Sequence, residues 1–291
     1  MSVAFPVALI GVGNMGGAMA ANLLARGWPV HVCDIDPVKS QNLARHGAVA
    51  HEHAADAASR SVASVICVVD AAQTRDVLFG AGAVAGAIGP GRVVMLCPTM
   101  GPDDVEQIAL ELGKRGIETL DAPMSGGPAR ARDGSMSLML AGPRAVRERL
   151  RALIEALSSK VFAISERVGD GARTKLVNNL LAGINLVGAA EALALAQRLG
   201  LDLERTLDVV EQSSGQSWIG SERMRRALHG DLQPRAHMTL LAKDTRLALQ
   251  AGAVAGFSGP LGAATRDVFA AACAGGLAEQ DDAALLQWLG R

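Results

Sequence analysis

A chain of 291 residues makes one large or two ordinary domains, and its 49% hydrophobic content supplies material for two cores. The formal charge of -1 excludes a general attraction to nucleic acid or to an anionic membrane, so neither is expected as a partner. Tyrosine is absent, which excludes any redox scheme that draws its proton from a tyrosine hydroxyl.

The first predicted element is a strand over Val7–Ile10, a short apolar run of the kind a buried parallel strand requires. No basic segment precedes it, so no signal peptide is expected. Gly11, Gly13 and Gly16 follow at once in GVGNMG, and the helical pattern MGGAMAANLLARG opens through Asn14 and Met15. In this context Gly11 permits a tight turn, Gly13 lets the backbone approach a pyrophosphate, and Gly16 lets helix and strand pack closely. The helix start then presents N–H groups to the phosphates. An ordinary glycine turn in another α/β unit is the competing reading. Against it, a second strand over Val30–Cys33 ends in Asp34, eighteen residues after Gly16 and near the interval of about 20 in the dinucleotide fingerprint. An acidic side chain there accepts hydrogen bonds from the adenosine ribose and repels a 2′-phosphate. Ile35 follows it in place of a phosphate-binding arginine, so NAD is expected over NADP. Asp36 is expected to cap a helix that starts at Pro37.

Further strands are expected over 62–69, 92–97, 117–120, 136–140 and 161–164, and helices over 73–79, 102–115 and 144–157. Repeated βα units predict a mostly parallel sheet with helices on both faces, and ligands bind beyond the carboxyl ends of such strands. That topology places Val69, Asp70, Pro98 and Thr99 near the dinucleotide, although each equally suits a simple turn. Cys33, Cys67, Cys97 and Cys273 lack CxxC or metal-ligand spacing and are expected to be buried, reduced thiols of a cytoplasmic protein. His51 and His53 alternate in AHEHAA without a third ligand nearby, so they are expected to be exposed loop residues and no metal is expected.

Residues 169–200 contain no proline and only three internal glycines, Gly171, Gly183 and Gly188, and predict a helix roughly 45 Å long. It is apolar nearly all round after Leu176, which implies burial between two bodies. A membrane span is the alternative, but Asn178, Asn179, Asn185 and Glu191 interrupt the run. Beyond it only helices are expected, over 203–212, 218–228, 239–255, 261–274 and 282–289. The shift in pattern sets the domains at 1–166 and 167–291.

Two groups of residues carry candidate chemistry. In the segment 121–127, DAPMSGG, Ser125 with the N–H groups of Gly126 and Gly127 can form a nest for a carboxylate, or the loop is shaped by turn chemistry alone. Of five lysines, Lys175 and Lys243 stand on apolar helices, with Asn178 and Asn179 following Lys175 at helical spacing. From spacing alone, Lys175 is a functional amine or a snorkelling surface residue.

The ordered set GVGNMGGAMAANL, DAPMSGGPARARDGSMSLMLAG, GDGARTKLVNN and LLAKD resembles the β-hydroxyacid dehydrogenases over nearly the whole chain. The resemblance implies that Gly11, Gly13, Asn14, Met15, Gly16 and Asp34 bind the dinucleotide, with Val69 nearby and Thr99 beside the nicotinamide ribose. It implies that Ser125, Gly126 and Gly127 bind the substrate carboxylate, that Lys175 is the catalytic acid/base, and that Asn179 orients the substrate. Lys243 would reach over the nicotinamide side of the cleft, positioned by Asp244. Pro98 departs from the serine or threonine usual before Thr99.

The expectation is an α/β fold: a Rossmann, doubly wound, mostly parallel sheet followed by an all-α C-terminal domain, joined by a long interdomain helix. The expected activity is NAD-dependent hydride transfer from a small 3-hydroxy acid or sugar acid of the 3-hydroxyisobutyrate or threonate type. A semialdehyde reductase working in the reverse direction and a catalytically inactive NAD-binding sensor are the alternatives. The apolar helical segment and the resemblance both imply a homodimer or homotetramer.

Overall fold

A computed structural model of the chain describes residues 4–291. The chain divides into two compact units, Met1–Lys175 and Leu176–Arg291.

The first unit is built on a nine-stranded sheet among the described residues. Six strands run parallel in the order 3-2-1-4-5-6: β1 (Val7–Ile10), β2 (Val30–Cys33), β3 (Val49–Ala50), β4 (Ala63–Ile66), β5 (Val93–Leu96) and β6 (Glu118–Asp121). Strands β1, β4 and β5 are buried at every position, which is why VALI and VVML show no polar alternation. The strands alternate with α1 (Asn14–Ala25), α2 (Pro37–Ala44), α3 (Ala54–Ser59), α4 (Ala71–Phe79), α5 (Val84–Ala87) and α6 (Pro102–Gly113). One core gathers Leu9, Val32 and Val65 with Met19 and Leu23 of α1, while another gathers Ile10, Ile66 and Leu96 with Leu78, Val105 and Ile108. Successive residues of one strand enter different cores, as the two-residue strand period requires. The chain order reverses at β1, which is bonded to β2 on one side and β4 on the other. Such a reversal is where open α/β sheets bind their ligands.

Past β6 the sheet becomes mixed. β7 (Met124–Ser125), α7 (Gly127–Asp133), β8 (Ser137–Ala141), α8 (Arg144–Arg149), α9 (Arg151–Leu157) and β9 (Lys160–Ser165) follow, with β8 antiparallel to β6 and β7 and parallel to β9. The single helix expected over 144–157 is bent at Leu150 (φ -92°, ψ 7°) into α8 and α9. The expected cap at Asp36 is present, its carboxylate accepting from the Val38 N–H at 3.0 Å with Pro37 in the first turn.

The second unit is helical. α10 (Asp170–Arg198) spans the division between the units and is followed by α11 (Leu203–Glu211), α12 (Trp218–Leu228), α13 (Met238–Val254), α14 (Pro260–Ala272) and α15 (Leu285–Leu289). Leu186, Ala190 and Leu193 of α10 enter a core with Leu207, Met224, Met238, Phe269 and Leu285. Gly183 permits the close approach of this unit's helices, since a Cβ there would lie 3.1 Å from Thr245 Oγ1 and 3.3 Å from the Phe269 ring. α10 is long and apolar enough to cross a membrane by length and composition, but Leu186, Ala190 and Leu193 pack one of its faces into the core of the helical unit. Burial is not all round as the composition suggested. Val177, Leu181, Gly188, Ala192 and Leu195 form an exposed stripe at spacings of three or four residues, or sums of these.

Two other expectations need correcting. His51 is half-buried rather than an exposed loop residue, with its Nε2 2.8 Å from Nδ1 of His31 on β2; only His53 is exposed. Burial holds both paired imidazoles below their ordinary pKa, reinforced by Arg60. The four cysteines are free thiols, but Cys67 and Cys273 are only half-buried.

Candidate active site

The register of the parallel strands places Cys33, Ile10, Ile66, Leu96 and Asp121 in one row across the sheet, so the loops after five strands open along one edge. The glycine loop follows Ile10 in that row, between the ends of β2 and β4. Gly11 has φ +84°, and a Cβ on it would lie 2.8 Å from the Cys67 carbonyl oxygen. A Cβ on Gly16 would lie 2.0 Å from the Gly11 carbonyl oxygen, so α1 reaches β1 only because residue 16 has no side chain. Gly13 differs, because nothing lies within 4 Å of the position its Cβ would take. The chain itself makes no demand for glycine there, and the open space fits a group brought from outside. Gly13 also precedes Asn14 and Met15 as the N-cap of α1, with no side chain capping the helix. A pyrophosphate fits this arrangement.

Asp34 does more than its spacing indicated. Its Oδ2 accepts from the Val12 N–H at 2.7 Å and its Oδ1 from the Asp36 N–H at 2.9 Å, so one carboxylate braces the glycine loop and the turn after β2. Lys39 Nζ stands 3.9 Å away, and Ile35 is fully exposed. Val69, also exposed, follows β4 and donates its N–H to Gln73 Oε1 at 3.1 Å, while Asp70 caps α4. Thr99 follows β5 after buried Cys97 and precedes α6. The structure thus brings the glycine loop, Val69 and Thr99 to the same edge of the sheet.

Ser125 belongs to β7, paired with Ser137 of β8, and the chain turns at Gly126 (φ +128°) and Gly127 (φ +74°). Only glycine adopts two such values in succession without strain. The Cβ position of Gly127 is open, whereas that of Gly126 is closed by the stem of Arg130. Lys175, in the second turn of α10, is buried and donates from Nζ to the Met124 carbonyl oxygen at 2.6 Å. The amine is therefore tied to the residue before Ser125. This geometry removes the snorkelling alternative for Lys175.

Sequence reasoning treated Asp121 only as the first letter of a loop motif. Its carboxylate, 1% exposed, accepts from the N–H groups of Gly169 and Ala172 at 2.9 and 3.0 Å, at the start of α10. Burial pushes it up to about 6, although backbone N–H groups including that of Gly171 pull the other way. A carboxyl raised above its unfolded value carries its penalty only when ionised, so acidification through about pH 6 relieves this site rather than weakening it.

Within the second unit, Asn179 lies one turn beyond Lys175 and is buried. Its Nδ2 donates to Asp244 Oδ2 at 2.6 Å and its Oδ1 accepts from Asn178 at 2.9 Å. Asp244 Oδ1 is 3.1 Å from Lys243 Nζ, so one carboxylate holds both Asn179 and Lys243. The link to Asn179, 65 positions away, had no sequence signal.

A glycine loop that leaves space at its second glycine, an acid at the end of the next strand and a buried lysine define a dinucleotide-dependent oxidoreductase of two units. Family models agree. The NAD binding domain of 6-phosphogluconate dehydrogenase matches residues 6–165, and the NAD-binding domain of NADP-dependent 3-hydroxyisobutyrate dehydrogenase matches residues 169–289. An L-threonate dehydrogenase of Cupriavidus necator is 36% identical, covering 97% of this chain and 95% of the relative. A 3-hydroxyisobutyrate dehydrogenase of Pseudomonas aeruginosa is 33% identical, covering 90% of each. A crystal structure of 3-hydroxyisobutyrate dehydrogenase from Salmonella typhimurium superposes with a TM-score of 0.92 at 36% identity, over 98% of this chain and 99% of that one. The chain belongs to the β-hydroxyacid dehydrogenase family and is an NAD(P)-dependent hydroxyacid dehydrogenase.

The glycines separate fold from ligand binding experimentally. Gly16→Ala is expected to destabilise the protein by about 1–3 kcal/mol, because α1 must shift from β1. Gly13→Ala should leave the thermal midpoint nearly unchanged while weakening NAD(P) binding about tenfold, a loss of about 1.4 kcal/mol. Thermal unfolding and a fluorescence titration with the cofactor read the two effects. A Gly13→Ala protein with wild-type cofactor affinity would remove the pyrophosphate from this loop.

Proposed function

We propose that the enzyme oxidises a small 3-hydroxy acid or sugar acid of the threonate or 3-hydroxyisobutyrate type, with NAD preferred over NADP and Lys175 as general acid/base. The observation that carries this reading is the Lys175 amine, buried and held at 2.6 Å by the residue that precedes the Ser125 turn. Likeness to relatives named for L-threonate and 3-hydroxyisobutyrate supports the substrate class. In the roles proposed, Gly11, Gly13, Asn14, Met15 and Gly16 hold the pyrophosphate, Asp34 the adenosine ribose, and Val69, Thr99 and Lys243 the nicotinamide side. Ser125, Gly126 and Gly127 take the substrate carboxylate, because backbone turned through two positive φ values offers adjacent N–H groups. The proposed functional domains are 1–166 for binding NAD and 167–291, all-helical, for substrate binding and dimerisation, and the protein is proposed to work in the cytoplasm.

Bound NAD(P) supplies the hydride acceptor. Lys175 removes the hydroxyl proton in oxidation and returns it in reduction. Met124 accepts one N–H of the amine, and a neutral amine so held has its lone pair to offer the substrate hydroxyl. Asn179, fixed by Asp244, orients the hydroxyl without titrating. Since the base must first lose a proton, oxidation is expected to have an alkaline optimum.

Lys175→Ala is expected to lower turnover by about 10² to 10⁴ with little change in cofactor affinity. Absorbance at 340 nm with a panel of threonate, 3-hydroxyisobutyrate and glycerate checks it, and more than about a tenth of wild-type turnover on the best substrate would move the role elsewhere.

For the cofactor, repulsion between Asp34 and a 2′-phosphate is worth about 2 kcal/mol, so NAD should exceed NADP roughly thirtyfold in catalytic efficiency. Equal or better efficiency with NADP would refute the preference.

The stripe along α10 supports a homodimer or homotetramer formed through the helical segment, since five aligned small or apolar positions gain by leaving water. Light scattering at micromolar concentration should show an oligomer, with Leu195→Glu reducing its mass. A monomeric wild type would overturn the assignment.

A further inference from the structure

Lys175 can meet a substrate in one direction only if the first turns of α10 are held against the sheet. One short segment supplies two contacts that do so. Asp121 ends β6, and its Oδ2 accepts from Gly169 and Ala172 at 2.9 and 3.0 Å. Three residues later the Met124 carbonyl oxygen accepts from Lys175 Nζ at 2.6 Å. Between Ala172 and Lys175 the helix rises only about 4.5 Å, so a change at the first contact is transmitted to the second. The fit is tight, because a Cβ on Gly171 would lie 2.9 Å from the Asp121 carboxylate and 2.8 Å from the Met139 carbonyl oxygen.

We propose that Asp121 is a positioning residue for Lys175: its carboxylate fixes the start of α10 on the end of β6 and thereby sets where the Lys175 amine is presented. The inference rests on the assignment of Lys175 as acid/base. The ionisable groups around Asp121 are Asp170, which is paired with Arg167 and Arg173, and the buried Cys97 thiol. Asp121 is raised only to about 6, so it is ionised throughout the alkaline range in which oxidation is expected. Both bonds to the helix converge on one oxygen, so a carboxamide can keep them while discarding the charge. Substitution by asparagine thus separates geometry from electrostatics.

The test compares Asp121→Ala, Asp121→Asn, Gly171→Ala and Lys175→Ala in the full-length enzyme, measuring kcat, both KM values, the pH profile of oxidation and the thermal midpoint. Asp121→Ala is expected to lower kcat at least about tenfold, with cofactor KM within about twofold of wild type. Asp121→Asn should recover kcat to within about threefold, because the carboxamide oxygen can still accept both N–H groups at the helix start. Gly171→Ala, which keeps Asp121 but displaces the helix start, should reproduce the loss of kcat, and it decides the matter if Asp121→Ala does not fold. Retention of more than half of kcat by the folded Asp121→Ala enzyme, or by Gly171→Ala in its place, overturns the proposal. So does a folded Asp121→Asn enzyme no better than Asp121→Ala. If Lys175→Ala loses turnover while Asp121→Ala keeps it, the positioning role alone falls; if Lys175→Ala keeps turnover, both assignments fall.

Discussion

The close approach of α1 to β1 at Gly16 is the contact on which the cofactor half of the molecule depends. With 2.0 Å between a notional Cβ and the Gly11 carbonyl oxygen, any side chain there would lift the helix from the strand. The start of α1 would then leave the edge of the sheet, where the ends of β4 and β5 are held level with β1 by the register. Backbone N–H groups are useful to a phosphate only when their direction is fixed beforehand, and here the sheet fixes it.

A comparable economy governs α10. α10 belongs to both units, with Lys175 closing the first and Asn179 lying just inside the second. Each side chain is tied within its own unit, Lys175 to the Met124 carbonyl and Asn179 to Asp244. A long side chain left to its own rotamers loses entropy on meeting a substrate; one already bonded has lost it in folding. Lys175 and Asn179 are therefore held by short ties that set their direction.

Much of this was legible in the sequence where the signal is local. The strand, glycine loop and helix from Val7 to Ala25, and the cap at Asp36, follow from residues adjacent in the chain. What could not be read were contacts between distant segments. Nothing local reveals that Asp34 bonds the Val12 N–H, or that Asp244 holds Asn179. His51 was misplaced for the same reason, because its partner His31 lies on the neighbouring strand. Short elements such as β7 and α7 escape because a few residues cannot display a period. The face of α10 toward solvent escaped because apolarity does not distinguish a core from a surface awaiting a partner.

The double duty proposed for Asp34 constrains how this lineage could change its cofactor. A carboxylate that only discriminated against a 2′-phosphate could be exchanged at little cost to the protein. This one also receives the N–H of Val12, inside the glycine loop, and that of Asp36, at the cap of α2. Its neighbour Ile35 is fully exposed and touches no core. On the proposed preference for NAD, the cheaper evolutionary route to NADP therefore begins with a basic side chain at position 35, and that preference is harder to abolish than to dilute. Drift at the surface can broaden the enzyme's diet of cofactors long before the loop tolerates a complete exchange.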